Sequence, residues 1–187
     1  MLQHLQLLPN QLTAIRFLLI PIMWVLAFLD QPFWMGIGLI ICLFTDALDG
    51  PVARWLDQTS AFGSKFDSWA DNLLNLSGVV WLWLFWPELF REHPLILLAG
   101  AAFYLASLTI GLVKFGQLAN LHLYSAKATG LAEFIFLIHA FLTGLYNVPL
   151  LYLAVGLLII SSTEEILLML TRSAVDEQIG SILRPRS

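Results

Sequence analysis

The chain has little of what a water-soluble domain relies on. Charged residues make up 12 % of its 187 positions, about half of the roughly 25 % usual in soluble domains. Hydrophobic residues account for 59 %, and mean hydropathy is +0.81. One cysteine, Cys42, excludes an intrachain disulfide and argues against dithiol redox chemistry. The first ten residues, MLQHLQLLPN, lack both a basic n-region and a small-residue cleavage site, so no removed signal peptide is expected. There is no internal repeat and no low-complexity tract. No Ser/His or Cys/His arrangement argues for a covalent enzyme intermediate. The net charge of −4 gives no reason to expect a nucleic-acid partner.

What is present is a series of long apolar stretches, six in number: 12–29, 33–53, 66–86, 94–114, 126–146 and 149–170. Each is close to the ~20 residues that a spanning helix requires. The predicted fold is an all-α integral membrane protein with six transmembrane helices and a cytoplasm-facing polar cavity. One membrane catalytic domain covers 1–171, and a short polar tail covers 172–187. Leucines interspersed with Gln and His in residues 1–11 fit either a helix lying in the interface and ended by Pro9, or a frayed terminus. Arg16, Arg54, Lys65, Lys114, Lys127, Arg172, Arg184 and Arg186 fall on one side of a six-span topology, and Arg91 alone on the other. Eight basic residues against one place both termini in the cytoplasm. The segment WPELFREHP is expected to form an exterior turn. The aromatic residues around Trp81–Trp86 are expected to form an interfacial belt in contact with lipid.

The exception to this apolarity is TDALDGPVARWLDQTSAFGSKFDSWAD, residues 45–71. Asp46 and Asp49 are i, i+3 and share one helix face, which Gly50 and Ala53 continue. On the following span Gly63, Asp67, Ala70 and Asp71 form a similar stripe, with the acids at i, i+4. A short loop makes the two helices antiparallel neighbours. With a rise of about 1.5 Å per residue, the carboxylates can reach one layer roughly 10–15 Å beneath the membrane surface. A buried ion costs at least about 2.5–3.5 kcal/mol at the centre of a spanning helix, and like charges add repulsion. Arg54 and Lys65 lie nearby but cannot neutralise four acids. Hard divalent cations, Mg²⁺ or Mn²⁺, prefer oxygen ligands and can. Two such ions sharing carboxylates form the clamp used in phosphoryl and phosphodiester chemistry.

A rival reading is a metal-binding transporter or channel whose aspartates line an ion path. Residues 33–43 and 76–86, toward the far side of these spans, are nearly all apolar, so the cavity is expected to close there. Gly50, Ala53, Gly63 and Ala70 either leave room for a ligand or let the helices pack closely. Pro51 removes the amide that would bond the Ala47 carbonyl, so a bend or local loosening is expected.

Asp46, Asp49, Gly50, Ala53, Arg54, Gly63, Asp67 and Asp71 together follow Asp-x2-Asp-Gly-x2-Ala-Arg-x8-Gly-x3-Asp-x3-Asp. Eight fixed positions, at roughly one in twenty each, give a chance match on the order of 10⁻¹⁰ per start. The stretch resembles the signature of the CDP-alcohol phosphotransferase (CDP-alcohol phosphatidyltransferase) family. Its place on the second and third of six spans extends the likeness to most of the chain. The resemblance implies transfer of a substituted phosphate from a CDP-linked lipid, such as CDP-diacylglycerol, to an alcohol acceptor with release of CMP. It implies Asp46, Asp49, Asp67 and Asp71 as ligands of two divalent ions, with Asp71 also the base on the acceptor hydroxyl. Gly50, Ala53, Arg54 and Gly63 would border the CDP moiety. The resemblance also implies a homodimer, and a bacterial inner membrane is the expected location.

Leu12, Thr13, Arg16 and Pro21 resemble the first helix of the phosphatidylglycerophosphate synthase branch, with its Leu-Thr-x2-Arg-x4-Pro pattern. That branch usually carries Gly-Lys-x-Lys-Thr before its fifth span, where this chain has HLYSAKATG. Glycerol 3-phosphate is therefore one candidate acceptor beside inositol phosphate, serine, choline or a second lipid. Arg16, His122 and Lys127 are the candidate acceptor-binding residues. Lys127 reads equally as a snorkelling anchor. Glu133, Glu164 and Glu165 either line the polar cavity or make helix–helix hydrogen bonds, and Asn72 and Asn75 either orient the aspartates or bond across helices.

Overall fold

The computed structural model describes residues 8–56, 61–115 and 123–171. Among these, every regular element is helical: α1 Leu8–Phe28, α2 Pro32–Trp55, α3 Ala61–Phe85, α4 Pro87–Glu92, α5 Pro94–Phe115, α6 Tyr124–Thr143 and α7 Val148–Thr171. All six apolar stretches are helical over most of their length, the fifth ending its helix at Thr143. Among the described residues four helices are long and apolar enough to cross a membrane: α1, α5, α6 and α7. In α2 the apolar run is the shorter Pro32–Leu48. Among the described residues the chain is all-helical with four candidate membrane spans, as fits an all-α membrane protein.

The ends of the helices follow from local chemistry. Pro9 lies in the first turn of α1, where its missing N–H has no partner to lose. The interfacial helix expected over residues 1–11 falls partly on 1–7, outside the described residues. Asp30 takes a left-handed φ of 53° in the tight turn between α1 and α2, a conformation that Asp tolerates better than most residues. Gly144, with φ of 73°, closes α6 through its N–H to the Ala140 carbonyl at 2.9 Å. Pro51 lies inside α2, which continues through it to Trp55. The segment expected as an exterior turn after α3 contains the six-residue helix α4. The polar tail, 172–187, lies outside the described residues.

The chain divides into two compact units, Met1–Pro87 with Leu137–Tyr146, and Glu88–Phe136 with Asn147–Ser187. In the first, α1 packs on both α2 and α3. Each contributes a stripe of buried residues alternating three and four apart: Thr13, Arg16, Ile20 and Met23; Met35, Leu39 and Cys42; Ala70, Leu74, Ser77 and Trp81. Alternation of three and four is the spacing with which helices pack side by side along a seam. Ile22, Val25, Trp34, Ile41, Val80 and Trp83 face outward, as apolar side chains do against lipid.

Trp81 is fully buried and Trp86 nearly so. This corrects the expectation of a belt there. Trp81 packs against Trp24, with ring centroids 5.7 Å apart, and edge-on against Phe141 at 6.5 Å. The Trp86 indole N–H donates to the Gly144 carbonyl, and the Trp24 indole to Ser77 Oγ at 3.1 Å. Only Trp83 of this group is exposed as a belt residue would be.

Glycine sets how closely α2 approaches the end of α6. A Cβ on Gly36 would lie 2.7 Å from a Leu142 methyl and 3.1 Å from the Leu142 backbone nitrogen. Because part of that obstruction is backbone, Gly36→Ala is expected to destabilise the protein by about 1–3 kcal/mol through overpacking. A thermal melt in detergent would check this, and an unchanged midpoint would refute the close approach.

In the second unit α5 packs on α7, and its polar groups pair between helices. Ser107 donates to Glu165 at 2.6 Å, Ser125 to Glu164 at 2.5 Å, and Thr129 to Ser161 at 3.1 Å. Lys114 Nζ donates to the Met169 carbonyl at 2.6 Å near the end of α7. Of the two roles open to Glu164 and Glu165, the structure records the helix–helix hydrogen bond.

Candidate metal and phosphoryl-transfer centre

The site lies on the same seam, one turn beyond its apolar part. Arg16 falls between Thr13 and Ile20 on the buried face of α1, so packing of that face directs the guanidinium inward. Asp46 follows Thr45, whose hydroxyl bonds back to the Ile41 and Cys42 carbonyls at 3.0 and 2.9 Å. On α3, Asp67 and Asp71 flank the fully buried Ala70, so packing against α1 turns both carboxylates toward Arg16. Phe17 and Phe66, the neighbours of Arg16 and Asp67, stack with centroids 4.7 Å apart and hold the two helices in that register.

Arg16 joins the three acids. Its Nη1 donates to Asp46 Oδ1 at 2.9 Å and to Asp71 Oδ1 at 2.5 Å, and its Nη2 donates to Asp67 Oδ1. Its side chain is 1 % exposed, against 38 %, 30 % and 45 % for Asp46, Asp67 and Asp71. The guanidinium is therefore the floor of the site and the carboxylates are its open rim. Planar, forked donors suit Arg to bridging several carboxylates at once.

The donor set fits a divalent cation. Asp46, Asp67 and Asp71 each offer an oxygen, and the three oxygens lie within 4.8 Å of one another. All are the hard ligands that Mg²⁺ and Mn²⁺ prefer. Among the described side chains, three carboxylates and one guanidinium leave two negative charges for a cation to offset. Asp49, Gly50, Ala53 and Arg54 follow on α2, with side chains outside the described set; Gly63 lies on α3 and is half-buried.

Of the acceptor-binding candidates, His122 lies outside the described residues. Lys127 is exposed in the first turns of α6. Arg16 stands among the aspartates. Asn72 donates to the Ser68 carbonyl of its own helix at 2.7 Å, and Asn75 is exposed.

The pairing of Arg16 with the acids is not evident in the acidic stretch itself, where Arg54 and Lys65 are the nearby basic residues. The partners of Arg16 are 30, 51 and 55 residues away. A signal was available: an arginine within an apolar span, in a chain with intramembrane acids, pairs with them by default.

The described residues form apolar helices of membrane-spanning length around an acid cluster suited to divalent metal. The chain belongs to the CDP-alcohol phosphatidyltransferase family, whose model matches residues 6–171. It is 31 % identical over 112 residues to a CDP-diacylglycerol–glycerol-3-phosphate 3-phosphatidyltransferase of Rickettsia typhi, covering 57 % of this chain and 62 % of that one. The enzyme of the same name from Wigglesworthia glossinidia brevipalpis is 26 % identical over 113 residues, 59 % of this chain and 62 % of that one. An archaetidylinositol phosphate synthase of Pyrococcus horikoshii is 40 % identical over 76 residues, 41 % of this chain and 40 % of that one. The matched stretch thus spans about three fifths of the length of the first two relatives. No solved structure matches the chain.

Proposed function

We propose that this chain is a phospholipid-synthesis enzyme. It transfers a phosphatidyl group from a CDP-linked lipid, such as CDP-diacylglycerol, to an alcohol, and releases CMP. The observation that carries the reading is the gathering of Asp46, Asp67 and Asp71 around one point on the seam of α1, α2 and α3. Family membership and the names of the relatives favour glycerol 3-phosphate as the acceptor.

Asp46, Asp49, Asp67 and Asp71 would hold the divalent ions, Mg²⁺ or Mn²⁺, whose charge offsets that of the diphosphate and stabilises the departing phosphate. Asp71, the most exposed of the three carboxylates described, accepts the proton of the acceptor hydroxyl as that oxygen forms its bond to phosphorus. The bond from phosphorus to the bridging oxygen of CMP breaks in the same displacement. Gly50, Ala53 and Gly63 leave room for the CDP moiety along α2 and α3, and Arg54 donates to its phosphate oxygens. Lys127 and His122 bind the acceptor; Arg16, the third candidate, is 1 % exposed and bonded to three acids, so this reading leaves the acceptor to the other two.

In this reading the six long helices each cross the membrane, and the cavity opens toward the cytoplasm with both termini. Residues 1–171 form the catalytic domain and 172–187 a tail. The enzyme works as a homodimer in a bacterial inner membrane. An aspartate-lined ion path is disfavoured by the apolar side chains that fill the seam away from the site, among them Met23, Leu39, Leu74 and Trp81.

The test supplies purified protein with labelled CDP-diacylglycerol, Mg²⁺ or Mn²⁺ and a panel of alcohols. CMP release is expected only with metal and with glycerol 3-phosphate, and EDTA is expected to abolish it. Absence of CMP with every acceptor, together with ion flux in liposomes, would replace this reading with the transporter.

A further inference from the structure

The position of Arg16 has a consequence for how the site holds its metal. We infer that Arg16 is a positioning residue, a counter-cation built into the site: it holds Asp46, Asp67 and Asp71 together and weakens their grip on a divalent ion. The inference rests on the reading of these acids as metal ligands. It concerns a residue that contacts neither substrate nor reacting atoms in that reading.

Three observations support it. The guanidinium is fully buried while its partners are half-exposed, so Arg16 is part of the packed seam and the carboxylates are what a ligand meets. Its two terminal nitrogens reach acids on both α2 and α3, so a single side chain on α1 ties the two acid-bearing helices. The repulsion among three carboxylates within 4.8 Å of one another is opposed by the charge of the guanidinium that bonds all three. An ion drawn to these oxygens meets a fixed positive charge within hydrogen-bonding distance of each. Such a charge at close range typically alters the binding of another charge by tenfold or more.

Arg16 therefore does two things at once. It keeps α1, α2 and α3 in register when no divalent ion is bound, and it keeps the ion exchangeable. An arginine that only bound an acceptor phosphate would do neither, because its removal would leave the acids and their affinity for metal as they were.

The experiment compares wild type, Arg16→Gln and Arg16→Lys by melting temperature in EDTA and by Mn²⁺ titration followed by electron paramagnetic resonance. Arg16→Gln is expected to melt lower in EDTA, to bind Mn²⁺ about tenfold more tightly, and to gain more than wild type in melting temperature when Mn²⁺ is added. Should Arg16→Gln fail to fold, Arg16→Lys decides the matter. Lysine keeps the charge but lacks the fork that bridges three acids, so a lower melting temperature in EDTA is expected with Mn²⁺ affinity near that of wild type. An EDTA melting temperature unchanged in both variants, or Mn²⁺ bound by Arg16→Gln no more tightly than by wild type, would overturn the inference. The two proposals fail separately. Wild-type CMP release with unchanged metal affinity in Arg16→Gln removes only the role of Arg16. Tighter Mn²⁺ binding in Arg16→Gln without any CMP release removes only the enzymatic reading.

Discussion

Asp71→Asn is expected to reduce CMP release by about 10²–10⁴-fold, the usual contribution of a positioned general base, while the protein still folds. The asymmetry comes from the place of Asp71 in the cluster. Arg16 is also bonded to Asp46 and Asp67, so losing one carboxylate charge does not leave the buried guanidinium without an ion partner. The amide oxygen of the new side chain can still accept from Nη1. What asparagine cannot do is take the proton of an alcohol. The rate should be measured at saturating Mn²⁺, so that a weaker metal site is not mistaken for a lost base, and the fold checked by melting temperature. Full activity in this variant would remove Asp71 from its role.

The second large effect is on stability. Trp81→Ala is expected to cost about 3–5 kcal/mol, as large aromatic truncations do in packed cores, whereas Trp83→Ala is expected to stay within about 0.5 kcal/mol. The two positions are two residues apart and have the same composition-based reading, yet Trp81 is 0 % exposed and Trp83 57 %. Burial of Trp81 between Trp24 and Phe141 means that alanine leaves a cavity joining α1, α3 and the end of α6. In lipid this cost is mostly lost packing, because tails are as apolar as the protein interior. Unfolding in mixed detergent would measure both variants. Equal losses would contradict the assignment of Trp81 to the core.

The same pair shows what a single sequence discloses here. The positions of the helices were legible because apolar runs of spanning length are a property of each segment alone. The acids at 46, 67 and 71 were legible as one cluster because a short connection and helical spacing bring them to one layer. Which side of an apolar helix meets protein and which meets lipid was not legible, since tryptophan suits both. The partnership of Arg16 was hidden for a different reason. It depends on how α1 rotates against two other helices, and that is set by the buried face of α1 and by the Phe17–Phe66 stack, which join residues far apart in the sequence. The short helix α4 was read as a turn because Pro87 and Pro94 bracket only a few residues.

Glu164 and Glu165 are consecutive on α7, so they leave it in directions about 100° apart. One takes a hydroxyl from Ser125 on α6 and the other from Ser107 on α5. Along its leucine-rich parts α7 has almost no preferred azimuth in a bilayer, because one apolar face is as good as the next. Two tethers on different bearings remove that freedom: α7 cannot spin about its own axis without breaking at least one of them. Together with the Thr129–Ser161 bond, the adjacent glutamates thus act as a rotational lock, giving a largely apolar rod a single heading.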